Sequence, residues 1–317
     1  MRYRTFPAMR ARRLSATRLR AIGAIALLCA GPGLMPAARA QAIDVIDDQG
    51  KPVHLARPAA RIVSLAPHVT ELLFAAGAGA QVVGVTRFSD HPPEAKKLPL
   101  VGDSRAVDFD RLLALNPDLV VVWFHGIALK QIEKIRALGI PSYYSDPKEL
   151  EDLATSVEKF GALAGTQPAA RAWAEAFRRR HQALVKKYSG QRTLKVFYQL
   201  WNRPISTLNR EHLVSRMIAM CGGTNVFGQA PMIAPVVSVE AVLSANPQAI
   251  LAGNLDKGRP EWLQDWKKWT EIEAVRAGNL FDVPSDYVNR PGSRALDGAQ
   301  AICEALETAR GRLAAPK

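Results

Sequence analysis

Residues 108–123 read DFDRLLALNPDLVVVW, and residues 238–253 read SVEAVLSANPQAILAG. Both phrases carry the same instructions in the same order. A capping residue, Asp108 or Ser238, opens a short amphipathic helix. Leu112 and Leu113 in one copy, and Val242 and Leu243 in the other, suit its buried face. Asn116-Pro117 and Asn246-Pro247 stop it, because proline cannot continue the helical ladder. A short apolar run follows, the pattern of a buried strand. A fainter echo pairs GAQVVG at 79–84 with GTNVFG at 223–228. Helix, Asn-Pro, strand is a common phrase in α/β proteins, so one copy says little. Two copies imply two related lobes, and the third position of both is acidic: Asp110 and Glu240.

Around these phrases, apolar runs alternate with helical patterns, which is the mark of βαβ units on parallel sheets. Ile62–Leu65, Val82–Val85, Leu119–Trp123 and Ser142–Tyr144 are expected strands of a first lobe. Val196–Leu200, Ala249–Leu251 and Leu280–Val283 are expected strands of a second. Between them PAARAWAEAFRRRHQALVKKY, residues 168–188, places Ala169, Trp173, Phe177, Leu184 and Tyr188 on one helical stripe, ended by Ser189-Gly190. Such a helix spans roughly 30 Å and would act as a strut that limits lobe closure to a small angle. The expected division is a lead-in at 41–58, an N-terminal lobe at 59–166, a bridging helix at 167–190 and a C-terminal lobe at 191–317. Glu261-Trp262, Trp266 and Trp269 set three tryptophans on one helix face, expected to pack on a sheet.

The first forty residues read as an export signal rather than as fold. Arg2, Arg4, Arg10, Arg12, Arg13, Arg18 and Arg20 precede an apolar run from Ala21 to Ala30, and Ala38-Arg39-Ala40 is a small-x-small site with the cut after Ala40. The run is too short to span a bilayer. Arg12-Arg13 leaves open whether the route is the general or the twin-arginine one. Leu27-Leu28-Cys29 is a poor lipid-anchoring box. Removing the signal's eight arginines from the formal charge of +13 leaves +5, mild basicity with no polybasic run and no case for nucleic acid. Cys29 leaves with the signal. Cys221 and Cys303 remain in an oxidising setting, which favours a disulfide between them over two buried thiols. Its loop closure would stabilise the second lobe by about 4 kcal/mol on the chain-entropy model.

Ligands of open parallel sheets bind at the carboxyl ends of the strands. Here those ends are expected to carry Phe88, Trp123, Phe124, His125, Tyr143, Tyr144, Trp201 and Tyr287. Aromatic walls with polar tips suit a large, planar, partly apolar ligand. Asn202, Arg203, Asp286 and Arg290 are placed to bond its amide or carboxylate arms. His68, His91 and His125 fall on expected loops of the first lobe and raise the question of a metal, but no close ligand spacing is present. There is no GxxxxGK[ST] loop, so an ATPase must be a separate chain. No GxSxG elbow occurs; Pro291-Gly292-Ser293-Arg294 lacks its spacing. No paired carboxylates stand out. A binding protein, not an enzyme, is the expectation, and a sensor feeding a membrane receptor stays open beside a transport role.

The segments RIVSLAPHVTELLFAAGA at 61–78, VVGVTRFSDHPPEA at 82–95, DRLLALNPDLVVVW at 110–123, VFYQLWNRP at 196–204, MCGGTNVFG at 220–228 and SDYVNR at 285–290 together resemble the periplasmic vitamin B12-binding proteins of cobalamin ABC importers. That family sits within the helical-backbone substrate-binding proteins for siderophores and haem. The resemblance runs from about Ala59 to the helix carrying Cys303. It implies two α/β lobes joined by a long helix, making residues 59–317 one binding domain of the class III periplasmic-binding-protein fold. It also implies cobalamin or a related cobamide as ligand, no cofactor, and a two-fold membrane permease with separate ATPase subunits as partner, the chain itself being monomeric. The alternative within the fold is a ferric-siderophore or haem carrier. The family's docking acids fall on Asp110 and Glu240, its disulfide on Cys221 and Cys303, a cage tryptophan on Trp123, and a corrin-touching stretch on Asp286, Tyr287, Val288, Asn289 and Arg290. Phe88 stands where the family has a tyrosine and Tyr287 where it has a tryptophan. Asp110 replaces a glutamate. Ser104 and Ala234 replace cage tryptophans, and Trp201 is the neighbouring aromatic that stands in for them.

Overall fold

The computed structural model describes residues 42–103, 105–254 and 261–314. The expected export signal, with Cys29 and the cut after Ala40, lies outside the described residues, as does Ser104. The N-terminal elements are strands β1 (Ile43–Ile46), β2 (Pro52–Leu55) and β3 (Ile62–Ser64), helix α1 (Pro67–Ala75), β4 (Val82–Val85), α2 (Phe109–Ala114), β5 (Leu119–Trp123), α3 (Leu129–Ala137), β6 (Ser142–Ser145) and α4 (Leu150–Ala164). The long helix α5 (Gln167–Tyr188) follows. After it come β7 (Leu194–Gln199), β8 (Trp201–Asn202), β9 (Ile205–Ser206), α6 (Leu213–Met220), β10 (Gly223–Asn225), α7 (Val239–Ala245), β11 (Ala249–Asn254), α8 (Glu273–Arg276), β12 (Leu280–Pro284), α9 (Ser285–Val288) and α10 (Ala295–Ala314).

Two parallel four-stranded sheets organise these elements, in the orders β4-β3-β5-β6 and β10-β7-β11-β12. Strand by strand the orders are the same: the second strand of each lobe takes an edge, the first lies beside it, then the third, then the fourth. The repeated phrase occupies the same place in both, as α2–β5 and α7–β11. The echo extends to single groups. Asp108 Oδ1 accepts from Arg111 N at 3.0 Å and Ser238 Oγ from Ala241 N at 3.2 Å, so both caps close on the third residue of their helix. Asn116 and Asn246 both adopt left-handed backbone, with φ of 48° and 44°, a conformation asparagine tolerates better than most residues.

Burial explains the strand signal. Leu119, Val120, Val121 and Val122 are all buried, because helices cover both faces of a parallel sheet. Their side chains alternate: Leu119 and Val121 join one core cluster, Val120 and Val122 another. Ala249 with Leu251, and Ile250 with Ala252, divide likewise in the second sheet. The first of these clusters runs through both lobes by way of α1, α4, α5, α6 and α10, so the lobes share one apolar layer. The Cys221–Cys303 disulfide is present, with Cα atoms 4.8 Å apart, and ties the end of α6 to α10.

Several expectations need correction. Leu113 is exposed rather than buried, since it stands one residue, about 100°, around a helix whose inner face is Leu112. The stripe of α5 runs through Ala170, Ala174, Phe177, Leu184 and Tyr188; Ala169 is exposed, and Trp173 is half-buried and stacks on Phe177 at 5.0 Å. The lead-in is a β-hairpin, β1 against β2. It is moored by Asp48, which accepts from Tyr143 Oη at 2.7 Å, Lys159 Nζ at 3.0 Å and Asp146 N at 2.9 Å. The second sheet has a fourth strand, β10, whose Gly-Thr-Asn carries no apolar residue to announce it. Trp262, Trp266 and Trp269 pack on the second lobe's core as expected, although Glu261–Lys268 is a 3-10 turn rather than an α-helix.

Candidate functional site

Helix α9 and the turn after it follow the carboxyl end of β12, and they meet the loop that follows the carboxyl end of β4. Arg290 of the second lobe binds Asp90 of the first, Nη1 to Oδ1 at 3.0 Å, and donates to the Phe88 carbonyl at 3.4 Å. The carboxyl ends of the two sheets therefore face one another across a cleft. Deeper in, Glu71 of α1 has a side chain only 1% exposed. It accepts from Arg294 Nη2 at 2.6 Å, Arg294 Nε at 3.2 Å and Ser293 Oγ at 3.1 Å. Gly292 permits this approach: a Cβ there would sit 2.7 Å from Glu71 Oε2. Arg180 with Asp297, at 2.6 Å, and Arg216 with Glu149, at 2.8 Å, add ties at the periphery.

Between the lobes lies a cavity of roughly 220 Å³, lined by the loops after β3, β4 and β5 and by Asn289, Arg290 and Pro291. Trp123, the last residue of β5, forms one wall. Its indole folds back over Gly126, where a Cβ would stand 1.8 Å from the ring, and it meets His68 edge to face with centroids 5.0 Å apart. Phe88 lines the mouth, 65% exposed and held at φ 68°. An aromatic presented to solvent on left-handed backbone is placed by its loop rather than by core packing.

The stretch 286–290 divides its work. Arg290 lines the cavity and is gripped from both sides, by Asp90 and by Asp286 at 3.0 Å. Asn289 lines it too, but its amide is already committed, accepting from Tyr198 Oη at 2.7 Å and donating to Ser285 Oγ at 3.0 Å. Val288 is 1% exposed and belongs to the core, and Tyr287 lies beneath the Arg294 guanidinium at 4.8 Å; neither lines the cavity. Trp201, half-exposed on the β8–β9 ribbon, also stands outside its lining. Asn202 and Arg203 line a separate groove of roughly 170 Å³ beside Trp262, Trp266 and Trp269. Tyr143 and Tyr144 are buried core residues, because they point inward from β6 rather than lying beyond its end.

The histidines do not converge. His68 is in the first turn of α1 and buried, His125 pairs with Asp146 at 2.8 Å, and His91 precedes a cis Pro92. Among the described residues no group of three or more histidines, cysteines and carboxylates is arranged to hold a metal. His68 and Thr86 line the cavity; sequence reasoning raised His68 only for a metal and did not name Thr86. A polar residue just past a buried strand was the signal available for each.

Asp110 and Glu240 are both exposed on the first turns of α2 and α7. A helix that precedes a strand of a parallel sheet runs against it, so each helix starts near the carboxyl end of its sheet. The two acids thus stand at the cleft end of their own lobes. The Glu240 carboxyl is held below the usual range by its own backbone N–H and the Ser238 hydroxyl.

A family model described as periplasmic binding protein matches residues 62–287. The vitamin B12-binding protein of Vibrio campbellii is 35% identical over 253 residues, covering 80% of this chain and 91% of that protein. Among solved structures, the periplasmic vitamin B12 binding protein BtuF of Vibrio cholerae matches with a TM-score of 0.74 at 34% identity, over 80% of this chain and 98% of that one. The periplasmic haem-binding protein RhuT of Roseiflexus sp. RS-1 matches with a TM-score of 0.66 at 25% identity, over 80% and 99%. The chain belongs to the periplasmic binding protein family.

Proposed function

We propose that this chain is the periplasmic substrate-binding component of an ABC importer, capturing cobalamin or a related cobamide between its lobes and passing it to a membrane permease. The observation that carries the reading is the 34% identical B12-binding structure, 98% of which finds a counterpart here, together with a cleft that holds Trp123, Phe88 and Arg290. The protein does no chemistry. It binds, orients and releases.

The closed cavity is smaller than the about 300–1,000 Å³ of ordinary ligand pockets, and a corrin ring does not fit inside it. Binding therefore parts the Arg290–Asp90 bridge, which joins the two lobes beside the cavity, while the buried Glu71–Arg294 pair and the shared apolar layer hold the lobes together. Trp123 then offers a flat wall, Phe88 a second one at the lip, and Arg290 exchanges Asp90 for a polar arm of the ligand. Asp286, Tyr287, Val288 and Asn289 set the position of Arg290, and Trp201 extends the aromatic surface from the second lobe. Titration of the mature protein with cyanocobalamin, haem and a ferric hydroxamate, followed by visible absorbance and calorimetry, tests this reading. Saturable binding of cyanocobalamin alone supports it; binding of haem alone would move the chain to the carriers represented by the 25% identical relative.

Asp110 and Glu240, one per lobe, serve as the docking charges for a two-fold permease with separate ATPase subunits. A carboxylate in a helix's first turn is stabilised by about 0.3–1 kcal/mol from the helix dipole alone, but that does not require a second one at the equivalent place. Reversing both charges should abolish uptake in cells and leave cobalamin affinity unchanged.

A further inference from the structure

Two side chains that line the cleft cavity each carry a buried polar atom with no partner. His68 is 2% exposed and Thr86 1%. His68 Nε2 and Thr86 Oγ1 have no hydrogen-bond partner, yet both residues line the cavity. Leaving a buried polar group unpaired costs about 1–3 kcal/mol, so native interiors seldom do it. Nearby, Ser64 Oγ, Thr70 Oγ1 and Ser89 Oγ follow that rule, bonding in series at 2.8 and 3.1 Å. Ser145 Oγ, opposite Trp123 at the end of β6, is unpartnered as well, but among the unpartnered groups of the described residues only those of His68 and Thr86 belong to residues that line this cavity. They also stand on neighbouring loops, since β3 pairs with β4 and Ser64 lies opposite Val85. Thr86 is the next residue after β4, and His68 is the second residue of α1, just past β3.

The chemistry of the pair selects a ligand group. Burial, assisted by the Arg290 charge and opposed by Asp146, lowers the His68 pKa to about 3, so the ring is neutral at working pH. A neutral imidazole nitrogen beside a hydroxyl can complete both bonds with a group that both donates and accepts. A carboxylate pairs with both groups only where Nε2 carries the proton, and it brings a charge into the buried site. A primary carboxamide supplies both functions and no charge. We propose that His68 and Thr86 form a carboxamide subsite that takes one amide arm of the bound corrinoid. The subsite rests on the cobalamin reading above and deepens it. It discriminates against tetrapyrroles whose arms are carboxylates, and Trp123, edge-on to His68, closes it on one side.

The test is calorimetric titration of cyanocobalamin and of its monocarboxylic derivatives, one for each primary amide arm, with that amide hydrolysed. The proteins are the mature parent, Thr86→Val and His68→Phe. Valine is nearly the shape of threonine, and the melting temperature of each variant reports whether it folds. Each substitution should weaken cyanocobalamin by about tenfold, the effect of one hydrogen bond of about 1.4 kcal/mol. One derivative should bind the parent about tenfold more weakly and lose little more on Thr86→Val, while the others keep the full effect of the substitution. Unchanged affinity for Thr86→Val, or a loss that is the same for cyanocobalamin and every acid of the set, overturns the subsite and leaves an ordered water as the partner of both atoms. Absence of any heat with cyanocobalamin on the parent protein overturns the cobalamin reading itself, and the subsite with it.

Discussion

Two helices begin in corresponding places, α1 as the first helix after β3 and α6 as the first after β7, and each carries a desolvated histidine at its start. In the second lobe His212 is the N-cap, its Nδ1 accepting from Val214 N at 3.2 Å. In the first lobe His68 sits two residues past its N-cap, Ala66, with Nε2 unpartnered. Burial lowers the pKa of both, His212 to about 4 and His68 to about 3. The residue type, the desolvation and the place in the topology agree; only the hydrogen bonding differs. A group whose bond is made within its own helix is part of the scaffold. A group left open toward a cleft is available to a ligand. Duplication thus supplied equal frames, and the lobes diverged in what their loops leave unfinished.

The fastenings diverged too, and breaking them should produce the largest effects. The second lobe is stapled by Cys221–Cys303 across 82 residues of chain. Cys221→Ser with Cys303→Ser should cost about 4 kcal/mol, read as a fall in the denaturant midpoint, with hydrogen exchange rising first in α6, β10 and α10. The first lobe has no cysteine in its described part and uses a hairpin instead, moored by the three bonds to Asp48. Asp48→Ala should cost about 2–3 kcal/mol, with exchange rising in β1, β2 and β6 and little change in the second lobe. A uniform rise in exchange after either change would show that the lobes unfold as one unit and that the fastenings are not local.

How much of this was legible in the chain follows the same division between frame and finish. The repeated phrase revealed two related sheets because burial on both faces of a parallel strand forces runs such as Leu119–Trp123, and because Asp108, Ser238 and the Asn-Pro pairs act within a few residues of themselves. β10 was not legible, since Gly-Thr-Asn at a sheet edge is held by backbone bonds to β7 and needs no apolar side chain. The hairpin at 43–55 was missed because its anchor, Asp48, bonds to residues about a hundred positions away. The same limit applies to the cleft. Phe88, Trp123 and Arg290 line one cavity. Val288 and Tyr287, in the same short stretch, turn to the core and to Arg294, because a four-residue helix points neighbours in different directions. Nothing local marks His68 or Thr86 as unpartnered; that depends on every surrounding side chain.

The two histidines offer a sharper and smaller test. Each has a folded pKa below its unfolded value of about 6.5, so the unfolded chain binds the extra proton. Their contribution is therefore fully present above about pH 6.5, is lost as pH falls toward the folded pKa, and levels off below it. Both folded pKa values lie below pH 4.5, so between pH 7.5 and 4.5 the loss is nearly the same for His68 and His212, on the order of 2–3 kcal/mol each. Denaturant melts at the two pH values should show His68→Phe and His212→Asn, which keeps a capping side chain, each flattening the dependence by a similar amount. Cobalamin bound through a neutral imidazole should also leave the His68 contribution in place, so saturating ligand raises both melts without changing their difference. A ligand that protonated His68 would narrow that difference instead.

The smallest effect separates the two halves of the repeated phrase itself. Asn116 and Asn246 share left-handed backbone, and replacing either by alanine loses the local side-chain bonding that lets asparagine tolerate it, a cost of about 1 kcal/mol. The Asn246 side chain also makes a bond of its own. Its Oδ1 accepts from Glu273 N at 2.8 Å, joining the end of α7 to the start of α8. Asn246→Ala should therefore cost about 1 kcal/mol more than Asn116→Ala, the net value of a side-chain-to-backbone bond. Asn246→Gly, which relieves the backbone but not the lost bond, should recover only part of the deficit, whereas Asn116→Gly should recover nearly all of it. Equal costs at the two positions would mean that the α7–α8 junction is held by its other contacts, Ala274 N to the Pro247 carbonyl at 2.9 Å among them. The echo would then be one of energy as well as of sequence.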